Sequence, residues 1–149
     1  MWIKNFILCK KYPFLRVKNL WNGKKYGYKS TELDFLPKGW NKSFGIKICE
    51  DIKNVLRKSK EKDFWKKEYR ITQIKEKYGS LRWYDFGVPR DVFDDYEKVI
   101  SKYEEISKVT CYNCGKEAKM RNFGGLYEPL CDKCNKEFIE RRLIKWIMY

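Results

Sequence analysis

An α+β fold is what the chain predicts: a small antiparallel sheet with two packed helices, followed by a compact four-cysteine unit and a C-terminal helix. Three patterns carry that prediction. Residues 69–85 read as a hairpin, residues 91–107 repeat apolar side chains at the helical period, and two Cys-x2-Cys pairs stand near the end. The 149 residues divide into a basic α+β body over 1–108 and a cysteine unit with its terminal helix over 109–149. Hydrophobic residues make up 43% of the chain and aromatic residues 17%, enough to bury a core.

The first forty residues are rich in aromatics, lysine and turn formers, and strict periodicity is missing. Short strands and loops are expected there, for instance near Lys24 to Tyr28, and helices are not. Residues 42–58 read as a helix, because Phe44, Ile48, Ile52, Val55 and Leu56 fall on one face with Cys49 beside it. In the hairpin, Ile71, Gln73 and Lys75 alternate with Thr72, Ile74 and Glu76. Leu81 and Trp83 follow the turn at Tyr78-Gly79-Ser80. The helix over 91–107 carries Val92, Phe93, Tyr96, Val99, Ile100, Tyr103 and Ile106 on one stripe, with Asp91, Asp94 and Asp95 in its first turn. The last helix runs from Asp132 to about Ile147, its apolar side supplied by Phe138, Ile139, Leu143, Trp146 and Ile147.

The cysteine spacing is Cys-x2-Cys-x16-Cys-x2-Cys, from Cys111 and Cys114 to Cys131 and Cys134. Two thiolates two residues apart can turn inward on one tight knuckle, and two knuckles complete a tetrahedron around zinc. Gly115 supplies a permissive backbone after the first pair, and Gly124-Gly125 supplies a turn for a hairpin between Lys119 and Leu130. A hairpin followed by a ligand-bearing helix suggests a treble-clef or zinc-ribbon arrangement. Four sulfur ligands leave no open position, so one structural Zn2+ is expected rather than a catalytic one. Cys9 and Cys49 belong to no motif and read as small core residues.

No run of residues approaches the roughly eighteen apolar positions that suggest a membrane span. Met1 to Leu8 is broken by Lys4 and Asn5, too short and polar for a signal-peptide core. A cytoplasmic protein without a membrane partner is expected. Thiols stay reduced in that compartment, which favours metal binding over disulfides.

The formal net charge is +14. It is uneven: residues 1–60 hold 15 Lys and Arg against 4 Asp and Glu, residues 61–108 hold 11 against 11, and residues 109–149 hold 8 against 5. Such an excess draws polyanions. The 26 lysines against 8 arginines also match what an A/T-rich coding sequence writes. Candidate contact residues are Lys10, Lys11, Arg16, Lys18, Lys24 and Lys25, interleaved with Trp21, Tyr26 and Tyr28. Lys75, Lys77 and Arg82 flank Tyr78-Gly79 beside Trp83 and Tyr84, where a hairpin tip could grip phosphates and stack on a base. Trp83 itself is expected in the core.

Catalysis finds little support. The chain has no histidine, so Ser-His and Cys-His pairs are excluded. Gln73-Ile74-Lys75 on a strand, with Glu68 or Asp63 before it and Glu76 or Asp85 after it, faintly suggests a magnesium nuclease as a lower alternative.

The run from Gln73 to Tyr84 (QIKEKYGSLRWY), the Gly39-Trp40 pair ahead of the Cys49 helix, and Cys111 to Cys134 together resemble a group of small phage and prophage proteins. That likeness covers roughly residues 39–134. It implies an accessory protein that engages a host protein or nucleoprotein complex, an anti-phage defence nuclease among them, without catalytic residues to carry over. Direct DNA or RNA binding by the basic N-terminal region is the alternative. The oligomeric state is not readable.

Overall fold

The computed structural model describes residues 2–19, 21–61 and 63–147, without the side chains of Trp146 and Ile147. It combines helices with two separate two-stranded antiparallel sheets.

Contrary to expectation, the N-terminal region opens with a helix, α1 (Trp2–Lys11). Its buried residues are Asn5 and Cys9, while Trp2, Ile3 and Ile7 are 61%, 70% and 60% exposed. The Asn5 amide donates to the carbonyls of Tyr28 and Lys29 at 3.0 and 3.2 Å. Polar bonds to a distant loop thus help pin α1, together with the Trp2 and Phe6 rings edge-on to Tyr28 and Leu8 against the core. The strands expected near Lys24 reduce to one bridge between Lys18 and Lys25.

A helical run follows: α2 (Lys38–Trp40), a π-turn (Asn41–Gly45) and α3 (Ile46–Leu56). At the π-turn the Asn41 side chain reaches the Leu33 carbonyl at 2.9 Å, and a Cβ on Gly45 would lie 2.5 Å from the Asn41 Oδ1. The bare Gly45 backbone makes room for that detour. Phe44, Ile48, Cys49, Ile52, Val55 and Leu56 are all buried, as their spacing requires. The short α4 (Phe64–Glu68) then delivers Trp65 to the core.

Strands β1 (Arg70–Lys77) and β2 (Ser80–Phe86) form the main hairpin. Tyr78 and Gly79 take φ of 53° and 75°, the left-handed pair that a two-residue hairpin turn favours. The register shifts between Ile71 and Gln73, leaving Thr72 as an extra residue. That bulge lets Ile71 and Ile74, three apart, share the buried face with Leu81 and Trp83. Trp83 is thus a core residue.

Helix α5 (Phe93–Lys108), entered through a 3-10 turn (Arg90–Val92), packs on β2 and α3. Tyr96, Ile100 and Tyr103 are buried, but Phe93 is exposed. Asp91 accepts hydrogen bonds from the Ser59 hydroxyl and the Lys60 N–H, both at 2.8 Å, so it ties α5 to the end of α3. Under the hairpin, the Trp83 indole donates to the Tyr69 hydroxyl, which bonds the Tyr96 hydroxyl, which donates to Asp85. Cys9 and Cys49 are buried free thiols.

The chain ends in β3 (Lys119–Asn122), β4 (Tyr127–Leu130) and α6 (Asp132–Ile147). Phe138 of α6 packs on Phe123, ring centroids 4.5 Å apart, whereas Ile139 and Leu143 face outward. The expected apolar side of this helix is therefore mostly uncovered; Trp146 and Ile147 lie outside the described side chains.

Candidate metal centre and basic surface

The first knuckle is closed by backbone bonds. The Cys111 N–H donates to the Lys116 carbonyl at 2.7 Å, and the Gly115 N–H to the Cys111 carbonyl at 2.9 Å. Gly115 sits at φ 80°, where a side chain would be strained. Cys131 immediately precedes α6 and Cys134 lies in its first turn, with the Cys134 N–H 3.5 Å from the Cys131 sulfur. Knuckle, hairpin and helix follow in the order of a treble clef.

These elements bring the four sulfurs together. A tetrahedral ion with sulfur at about 2.3 Å holds its ligands about 3.8 Å apart. The Cys114 and Cys131 sulfurs are 3.7 Å apart, and all four ligand atoms lie within 4.8 Å of one another. All six cysteines are free, so the cluster is not a disulfide pair. Burial raises the Cys111 thiol, but N–H groups of Cys131, Cys114 and Asn113 aimed at it outweigh this and leave it at about 7. Cys134 is pushed up, by burial first and then by the surrounding sulfurs. Four clustered thiolates repel one another until a cation neutralises them.

Little else holds this unit together. Its buried hydrophobic cluster is Cys111, Ala118, Leu130 and Cys134, backed by Tyr112, Phe123 and Phe138. Two of the four cluster members are ligands, so the donor set fits a structural ion that replaces a core.

The unit is also fastened to the body. The Trp40 indole, fully buried, donates to the Thr110 carbonyl at 2.8 Å and stands edge-on to Tyr112 at 5.6 Å. The Gly39 N–H donates to the Tyr112 carbonyl at 2.9 Å. A Cβ on Gly39 would lie 2.1 Å from the Cys111 carbonyl oxygen and 2.8 Å from the Cys114 nitrogen. Sequence reasoning gave this Gly-Trp pair no structural role; it entered there only as part of the resemblance to small phage proteins.

The nine basic candidates do not form one patch. Lys10 and Lys11 end α1, where Lys11 pairs with Glu50 at 3.1 Å. Arg16 donates to the Tyr26 carbonyl and lies 4.5 Å from the centre of the Tyr28 ring. Lys18 is half-buried; burial first, and then the like charges of Lys25, Arg70 and Arg16, lower its pKa. Lys24 and Lys25 are exposed on the neighbouring turn. Arg82 pairs with Glu104 at 3.6 Å and donates to the Ser80 hydroxyl and the Leu81 carbonyl, so it braces the hairpin instead of presenting its charge.

Lys75 and Lys77 belong to a different arrangement, along β1 and β2 and the turn that joins them. Lys75 covers Tyr84 at 5.1 Å, Lys77 covers Tyr78 at 5.5 Å and Arg70 covers Phe86 at 5.0 Å. The three rings are 42%, 69% and 57% exposed. Arg70 and Phe86 became visible only through the strand register, which places them opposite each other.

The carboxylates of the nuclease alternative are dispersed. Asp85 accepts from Tyr96 on the inner side, Asp63 pairs with Lys66, and Glu76 accepts the Gly79 N–H, whereas Gln73 is exposed opposite Tyr84. Among the described residues, the four cysteines are the one group of three or more such side chains close enough to share an ion.

Neither protein-family models, curated proteins nor solved structures include a match to the chain. Fold and cluster together define a mixed helix-and-strand protein carrying a four-cysteine unit that could hold one metal ion. Among the described residues, no helix is long and apolar enough to cross a membrane.

Proposed function

We propose that this chain is a non-enzymatic binding protein, stapled by one structural zinc ion, that engages the nucleic-acid part of a nucleoprotein complex. The observation that carries this reading is the hairpin, where Arg70, Lys75 and Lys77 each cover an exposed aromatic ring. Exposed cation–π pairs stabilise a hairpin by about 0.5–1 kcal/mol each. Hairpin stability alone does not require three exposed rings, two on the strand β2 and one at the turn. Bases stack on such rings while the cations meet the phosphates. Arg16, Lys18 and Lys25 extend the positive field toward Arg70.

On the resemblance to small phage proteins, the complex belongs to a bacterial host, and a defence nuclease is the first to test. One observation favours a second reading, contact with a protein component: Ile3 and Ile7, one turn apart on α1, are 70% and 60% exposed, and Trp2 is 61% exposed.

Binding to a labelled single-stranded oligonucleotide, measured by anisotropy across a salt series, tests the first reading. Affinity should fall steeply as salt rises, and Lys75→Glu or Tyr84→Ala should weaken it at least tenfold. Binding that is absent, or indifferent to both substitutions, rejects the hairpin face as the contact. Capture of a nuclease-treated host complex with full affinity would support the protein reading instead.

A further inference from the structure

Three elements converge on a cleft of about 500 Å³ away from the cysteine cluster. Lys10 and Lys11 reach it from α1, Lys53 and Arg57 from α3, and Lys66 from α4. Its floor is apolar, made by Pro13, Leu56 and Trp65, with Leu56 and Trp65 buried. These residues are distant in sequence, and only folding unites them.

The charges do not cancel. Two carboxylates serve this set: Glu50, paired with Lys11, and Asp63, paired with Lys66. Lys10 and Lys53 are instead directed at rings, 5.5 Å from the centres of Phe6 and Tyr12 respectively. Five cations against two carboxylates leave a local charge of +3, and Asp91, bonded to the lining Ser59, is offset by Lys60. The C-termini of α1 and α3 border the cleft, and each contributes a partial charge of about −0.5. That explains why cations are tolerated at these positions, but it leaves about +2 unmatched.

We propose that this cleft binds a run of adjacent phosphate groups, independently of the hairpin face. A single carboxylate cannot meet cations arriving from three helices, whereas neighbouring phosphates spread negative charge over the same span. The Arg57 guanidinium can hold two phosphate oxygens at once, and the lysines act as point charges around it. A free oligophosphate and a nucleic-acid backbone share this chemistry.

Titration calorimetry of the full zinc-loaded chain with inorganic tripolyphosphate provides the test, with a decanucleotide as the second probe. Saturable tripolyphosphate binding is expected, at least tenfold weaker in Lys53→Ala/Arg57→Ala and unchanged in Lys75→Glu. All three substituted side chains are outside the core, so the fold should survive, and circular dichroism checks it. If the double variant loses the decanucleotide as well, the phosphates belong to a backbone; if it loses only tripolyphosphate, they belong to a free oligophosphate. Both results support the cleft. Absence of saturation, or undiminished affinity in the double variant, overturns it.

Discussion

Gly39 and Gly115 stand backbone to backbone across the seam between the body and the metal unit. A Cβ on Gly39 would come within 2.6 Å of the Gly115 nitrogen, and one on Gly115 within 2.6 Å of the Gly39 carbonyl oxygen. The obstacles are main-chain atoms, which cannot swing aside. Gly39→Ala should therefore destabilise the protein by at least the usual overpacking cost of about 1–3 kcal/mol. Thermal denaturation should show a midpoint lower by several degrees. Gly27→Ala is the control, since nothing lies within 4 Å of a Cβ there, and its midpoint should barely move.

Trp40 holds the same seam through its indole N–H, which donates to the Thr110 carbonyl at 2.8 Å in a buried setting. Trp40→Phe keeps an aromatic ring and removes the donor. Leaving that carbonyl unpaired costs about 1–3 kcal/mol. Urea denaturation should register the loss, and the metal should pass to a chelator faster than from the unsubstituted protein.

Arg82 and Lys75 lie opposite each other in the hairpin, yet their substitutions should separate stability from binding. Arg82 is committed to Glu104, Ser80 and Leu81. Arg82→Ala should lower the thermal midpoint and leave oligonucleotide affinity within about twofold per lost long-range charge, at a salt near 0.15 M where screening is strong. Lys75→Ala should do the reverse, weakening affinity with little change in midpoint. Parallel melting curves and anisotropy titrations of both variants decide this.

Glu32 is buried beside the bulged strand, and desolvation raises its carboxyl to about 7. An ordinary glutamate titrates near 4.3. The folded state therefore binds the proton more tightly than the unfolded state, and this group's stabilising effect is complete at low pH. It is lost as pH rises from the unfolded value through about 7. Glu32→Gln should match the parent at about pH 4 or below and exceed it in thermal midpoint near pH 8, a comparison that cancels the acid sensitivity of the thiolates.

Elements that bury one apolar face were legible in the sequence. The spacing of Phe44, Ile48 and Ile52 marked α3, and that of Tyr96, Ile100 and Tyr103 marked α5. The cysteine spacing located the cluster because two short knuckles are a local matter. Helix α1 was missed because the residues it buries are Asn5 and Cys9 while Trp2, Ile3 and Ile7 stay largely exposed, the inverse of the usual cue. The bulge at Thr72 was hidden behind an apparent alternation, although Ile71 and Ile74 stand three apart. Contacts between distant segments left no local trace, as with Gly39 against Gly115 and with the cleft joining Lys10, Lys53 and Lys66.

The metal stands at the base of this reading, and its direct test combines elemental analysis with thiol titration on freshly purified protein. One zinc per chain is expected, with Cys111, Cys114, Cys131 and Cys134 unreactive until a strong chelator is added, at which point their thiols appear and the helix signal of the C-terminal unit declines. Protein isolated without metal, with those four thiols reactive and the helix signal intact, would show that the cluster needs no ion.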